Sequence, residues 1–251
     1  MKHIGAVALA LLCGGAGAAE KGELLLGGGL HYSQGKYGTP TTTKITALVF
    51  SARYDVQLWT LRDSVSYLFV EGSEAVVPGV GAVRGSSAAA DSSASGLGDA
   101  TLSATYVAHY DAASRFGVDV GGKVKLATAE DDRLGTGEND YGALVEVYKD
   151  FGPWTAFGGL GYTVMGSPPG VTLNDVVSFA FGASYRLDER TRLGASYDER
   201  EAATSGAPQR EVTLFYSTRL QGGWRAQGYL LFGLANGSPD WGAGLSATYP
   251  F

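Results

Sequence analysis

The sequence predicts an all-β, antiparallel transmembrane β-barrel of about twelve strands, with short periplasmic turns and longer extracellular loops, on three observations. Segments in which apolar and polar residues alternate recur along the chain, each near the roughly 9 to 11 residues that a tilted membrane strand needs. The connections between them alternate between tight turns of Gly, Pro and Asp and long polar stretches. Beyond the N-terminus there is no run of roughly 18 apolar residues, so no membrane-spanning helix is encoded.

The first residues prescribe an address. Met1-Lys2-His3, the apolar run 4–12 and the small residues 14–19 have the basic start, short apolar core and A-x-A site (Ala16-Gly17-Ala18) of a secretory signal. Residues 1–19 are therefore read as a signal peptide and 20–251 as a single outer-membrane barrel. The one cysteine, Cys13, falls within the segment expected to be removed, and Leu12 stands where a lipoprotein would have a small residue. A formal charge of −6 and the lack of a basic, aromatic-interleaved patch exclude nucleic acid as a partner class. Charged residues at 18% and 38 glycines in 251 residues are a charge-poor, glycine-rich mixture for a soluble domain.

The strands follow in order. In the first, 23–33, Leu24, Leu26, Leu30 and Tyr32 share one face against His31 and the glycines; in the second, 44–54, Leu48, Phe50, Ala52 and Tyr54 face outward. The third, 58–70, alternates clearly only in its second half, and Asp63 interrupts the phase, so a bulge or a register shift is expected there. Leu102, Ala104, Tyr106 and Ala108 then oppose Thr101, Ser103, Thr105 and His109, and Phe116 to Leu126 oppose Asp119, Lys123 and Lys125. The same period of two continues through Tyr141–Val147, Trp154–Tyr162, Val177–Tyr185, Leu193–Tyr197, Val212–Tyr216 and Trp224–Phe232. The last segment, Trp241, Ala243, Leu245, Ala247, Tyr249 and Phe251 against Gly242, Gly244, Ser246, Thr248 and Pro250, carries aromatics near both ends of its apolar face. That is the composition of a strand whose ends meet the two interfaces of a bilayer. The terminus also resembles the closing strand of bacterial outer-membrane barrels, which implies a terminal assembly signal at Tyr249 and Phe251.

The tight turns fall at 111–113, 150–153, 188–190 and 221–223; the long stretches are 34–43, 71–97, 130–139, 166–174, 201–209 and 235–239. The longest, 71–97, is low-complexity around 86–95 and is expected to be mobile at the cell surface; the alternative, a loop folded in to constrict the lumen, would have only Val76, Val77, Val80 and Val83 as apolar anchors.

Alternation places Arg53, Asp119, Lys123, Lys125, Glu146, Arg186, Arg192, Asp198, Arg200, Glu211, Arg219 and Arg225 on the inward face, with Asp99 beside them. A Lys or Arg on the lipid face near mid-membrane costs about 2 to 4 kcal/mol, so these charges fix the register. They are the candidate lumen lining, for solute selection or for pairing across the wall. No catalytic constellation accompanies them: His3 leaves with the signal, and His31 and His109 have no acid or serine at a motif spacing. Gly-Ala-Ser-Tyr at 182–185 and 194–197 does not complete G-x-S-x-G. The acidic stretch Glu130-Asp131-Asp132 with Glu138 and Asp140 lacks EF-hand spacing and reads as a solvated loop. No enzyme activity, metal or cofactor is expected.

Two stretches resemble a known family. Ser95-Gly96-Leu97-Gly98-Asp99 and Leu134-Gly135-Thr136-Gly137-Glu138-Asn139-Asp140-Tyr141 are similar to the Gly-Asp and Gly-Thr-Gly signatures of the phenol-degradation MetA-pathway family of outer-membrane transporters. The resemblance covers residues 96–251 and implies passage of small, often aromatic or hydrophobic compounds. Here Ala129-Glu130-Asp131-Asp132 replaces the family's acid-poor approach to the second signature. The sequence therefore points to an outer-membrane channel for small solutes, with a structural or adhesive surface barrel as the alternative. The expected partners are outer-membrane lipid and lipopolysaccharide, the barrel-assembly machinery and the solute.

Overall fold

A computed structural model describes residues 22–83 and 91–251. The signal-peptide reading of 1–19, and the centre of the segment expected to be mobile, lie outside the described residues. Strands β1 (Glu23–Gly35), β2 (Thr43–Val56) and β3 (Trp59–Ser73) are followed by the short pieces β4 (Val76–Val77), β5 (Gly81–Ala82) and β6 (Asp91–Leu97). Then come β7 (Ala100–Asp111), β8 (Phe116–Leu126), β9 (Asp140–Phe151), β10 (Trp154–Val164) and β11 (Val176–Arg186). The wall finishes with β12 (Thr191–Arg200), β13 (Gln209–Arg219), β14 (Arg225–Gly233) and β15 (Trp241–Pro250).

All pairings in the wall are antiparallel, and the sheet closes because β1 bonds both β2 and β15 while β2 also bonds β3. β6 and β7 pair with the two ends of β3 and share one position, which makes a closed barrel of twelve strands. Closure leaves no unpaired edge, the condition for a sheet in a solvent that cannot satisfy backbone amides. The break between β6 and β7 stays stitched by the Gly98 N–H donating to the Ser66 carbonyl at 2.9 Å, and it turns Asp99 inward.

The outer face is apolar. Leu26, Leu30, Leu48, Phe50, Val145, Leu160, Phe181, Leu214, Leu230 and Leu245 are all exposed there. Aromatics gather at its two margins. Trp59 on Tyr106, Trp154 on Tyr185, and Trp224 with Tyr249 and Phe251 stand at the short-turn rim; Tyr32 on Trp241 and Tyr67 on Phe69 stand at the long-loop rim. The turns of the short rim are tight: Gln57 (φ 52°) makes the β2–β3 connection and Gly152 (φ 67°) the β9–β10 one. In the β11–β12 turn, Asp188 accepts the N–H groups of Arg190 and Thr191, which hold its carboxyl below the usual range. Both described ends of the chain lie at this rim, where the Phe251 N–H donates to the Leu24 carbonyl.

Three expectations need correction. The β2–β3 register is continuous from Lys44↔Glu71 to Val56↔Trp59, so Asp63 makes no bulge; it stays in phase and stands exposed on the outer face beside Ala52 and Leu102. The bulge lies instead in β7, between Val107 and His109. It flips the phase, so His109 points outward toward Phe116 and Tyr110 points inward toward Tyr148. Lastly, much of 71–97 is ordered by burial rather than mobile: Val76, Val77, Val80 and Val83 are all buried, and Ser92 to Leu97 are paired along β3.

Candidate functional site

The barrel encloses a cavity of about 1460 Å³ that runs from the turns of the short-turn rim up to the level of Lys123 and Arg200. This exceeds the roughly 300–1,000 Å³ of an ordinary ligand pocket. Its lower third is rich in arginine. Arg53, Arg62, Arg186, Arg192, Arg219 and Arg225 all line it, each near the short-turn end of its strand. They are only partly neutralised. Arg53 Nε donates to Asp55 Oδ1 at 2.7 Å while its Nη1 has no partner, and Arg225 reaches Glu23 at 3.5 Å. Arg192 donates to the Thr155 hydroxyl, which donates in turn to Asp150, and Arg186 donates to the Gly152 carbonyl.

The middle of the lumen holds carboxylates. Asp119 and Glu146 are direct cross-strand neighbours on the inner face, and Asp119 Oδ1 is buried without a hydrogen bond. Asp198 accepts from the Ser196 hydroxyl at 2.9 Å. Opposite, His31 stacks on Tyr229 with ring centres 5.5 Å apart and Nδ1 3.1 Å from the phenol oxygen. Not all the space over the inner glycines is empty: a β-carbon on Gly182 would meet the Phe157 ring at 2.6 Å, and Phe157 lies beside Phe215.

Above this level the long loops bend into the barrel. Residues 74–83 form a strap that crosses to the far wall, where Val77, Val80 and Val83 pack with Met165, Leu173, Val176 and Ala203. The strap is tied by Arg200 Nη1 donating to the Gly79 carbonyl at 2.7 Å and Thr204 Oγ1 donating to the Ala82 carbonyl at 3.1 Å. Fully burying a valine contributes about 1.5 kcal/mol or more, so the valine anchors hold the strap at least as firmly as the two hydrogen bonds. Residues 127–139 fold in from the opposite side, and Leu134 packs on Ala47, Leu68 and Val70 of the inner wall.

A clamp of buried charge fixes that second loop. Lys125 Nζ lies 2.8 Å from Asp99 Oδ2 and 3.4 Å from Asp140 Oδ2, and donates to Thr136 Oγ1 at 2.7 Å. Asp99 also accepts the Ala129 N–H. A β-carbon on Gly135 would stand 2.6 Å from the Asp99 carboxylate, which is why glycine precedes Thr136. The two short signatures noted in the sequence thus meet in space, around Lys125. The neighbouring acids are engaged with the protein as well: Glu130 accepts the Leu97 N–H and Asp131 the Arg133 N–H.

The sequence-derived candidates fall into two groups. Arg53, Asp119, Lys123, Glu146, Arg186, Arg192, Asp198, Arg200, Arg219 and Arg225 line the cavity. Lys125 and Glu211 face inward but are buried, outside the cavity lining. Alternation alone missed Arg62, because Asp63 obscured the phase; Leu61 as an outward residue would have supplied it. Tyr229 and Phe215 were also missed, since an aromatic on an inner face looks like any other apolar interruption.

No family model matches the sequence, and no curated protein matches it. Among solved structures, the COG4313 outer membrane channel from Pseudomonas putida F1 superposes with a TM-score of 0.71 at 15% identity, covering 95% of this chain and 99% of that one. The translocator domain of the autotransporter NalP from Neisseria meningitidis gives 0.56 at 12% identity, covering 100% and 94%. The P. putida toluene transporter TodX gives 0.50 at 12% identity, covering 93% and 90%. The fold is that of bacterial outer-membrane β-barrels.

Proposed function

We propose that this chain is a bacterial outer-membrane channel for passive or facilitated diffusion of small solutes, delivered by a cleaved signal peptide. The observation that carries this reading is a closed barrel whose outer face is apolar between two aromatic margins while its inner face is charged and hollow. A wall of this kind separates lipid from a wet path. The short-turn rim is then periplasmic and the folded-in loops are extracellular. Aromatic or hydrophobic compounds are the first cargo to test, supported by the two signature stretches and by the likeness to a toluene transporter.

Single-channel conductance in planar bilayers, paired with liposome swelling by sugars, amino acids and aromatic acids, tests the proposal. Discrete conductance steps and swelling by at least one solute class are the expected result. Folded protein that gives neither would move the assignment to a structural or adhesive barrel.

A further inference from the structure

Two cations at the top of the lumen make no ion pair among the described residues. Arg200 is 6% exposed, and among the described residues its guanidinium bonds to the Gly79 carbonyl and, at 3.7 Å, the Met165 sulfur alone. Lys123 makes no hydrogen bond or ion pair among the described residues. A buried guanidinium left with a carbonyl and a thioether is poorly compensated, because buried charges normally find an opposite charge.

Register places the two cations around one patch. Lys123 is opposite Gly142, Gly142 opposite Thr163, Gly161 opposite Ser178, and Ser178 opposite Arg200. The lysine lies across Gly142: a β-carbon there would be 2.6 Å from Lys123 Cε and 3.2 Å from Thr163 Oγ1. Its side chain therefore crosses Gly142 toward Thr163, on the side of the lumen where Ser178 and Arg200 stand, and all four residues line the cavity. The acids nearby do not close the account. Asp140 and Glu211 act on the cations beyond ion-pair distance, Asp140 is held by Lys125 and the Gly166 N–H, and Asp198 accepts from Ser196. Immediately above, Met165 joins the guanidinium to the apolar cluster of the strap.

We propose that Lys123 and Arg200, with the hydroxyls of Thr163 and Ser178, bind the carboxylate of a small amphipathic organic acid whose hydrocarbon part meets the strap cluster. A carboxylate offers Arg200 a charge-assisted, bidentate partner, which a single neutral carbonyl cannot match. The bound acid therefore displaces Gly79 from Arg200 and loosens the strap. Binding stands independently of transport, whereas the loosening rests on the channel reading for its consequence.

Benzoate is the probe, benzamide its neutral counterpart, and saturation-transfer NMR on the folded, detergent-solubilised barrel the binding measurement. Benzoate should give transfer and benzamide much less. Lys123→Gln and Arg200→Gln should each weaken benzoate binding about tenfold, while Arg210→Gln, on the exposed outer face, should not. Heat-modifiable gel migration checks that each variant is folded. In parallel, Val80→Cys should react faster with a maleimide when benzoate is present, and benzoate should raise the channel's open time. Equal benzoate and benzamide signals, or benzoate binding unchanged in both charge variants, would overturn the subsite. A Val80→Cys rate indifferent to benzoate would overturn the coupling to the strap. Binding without any conductance would leave the subsite standing and sink the channel.

Discussion

The two ends of the barrel are finished in opposite ways. At the short-turn rim the wall simply ends: turns are tight, arginines line the opening, and the cavity reaches the turns themselves. At the long-loop rim the strap and the 127–139 loop fill the mouth, one held by buried valines and Arg200, the other by Leu134 and the Lys125 clamp. The strands are the same strands at both ends. Resistance to passage is thus concentrated in a few inserted contacts, and strand number sets only the space available to them. A barrel of eight strands fills with its own side chains and one of 16 to 18 stays open, so about twelve leaves a lumen that loops can decide.

The sharpest way to break this contrast is to remove the clamp. Lys125→Met leaves Asp99 and Asp140 as buried carboxylates without their shared cation, a loss of about 3–5 kcal/mol when one partner of a buried ion pair is deleted. The temperature at which folded protein converts to its unfolded gel mobility should fall clearly; an unchanged midpoint would mean that the clamp does not hold the loop. Replacing residues 75–82 with a short Gly-Ser linker acts on the strap alone. Channel conductance should rise several-fold, and a variant that conducts like the parent would place the resistance elsewhere.

The open end is tested by charge. Arg219→Glu combined with Arg225→Glu should shift the reversal potential in a salt gradient toward cations, because both side chains border the periplasmic entrance; a selectivity that does not move would assign these arginines to the wall. The effect should shrink as salt shortens the Debye length. The smallest effect concerns neither end directly. Deleting Phe251, exposed beyond the last strand, should lower the amount of folded protein in the outer membrane more than Phe157→Ala, which instead empties the space above Gly182. Equal amounts of the two variants would remove the terminal assembly signal from the account.

The wall was legible from the residues alone. A period of two is a local property, imposed wherever each strand separates two different surroundings, and from it follow the strand order, the two rims, and the inward phase of Arg192, Asp198 and Arg200. It failed locally where one extra residue inverts the phase, as at His109, or where a charge sits on the unexpected face, as at Asp63. What the loops do was decided only by the tertiary structure. The contact between Arg200 and Gly79 joins residues 121 apart, and that between Arg133 and Ser92 joins residues 41 apart. Whether Val77 and Val80 bury depends on an apolar surface supplied by Val176 at the start of β11 and by the loops that carry Met165, Leu173 and Ala203. A low-complexity segment carries no periodicity that could announce such a partner. The sequence by itself therefore determined the shell of this protein, since alternation is enforced residue by residue. The strap, the clamp and the placing of two cations beneath the strap belong to the fold, since each exists only once distant segments share one lumen.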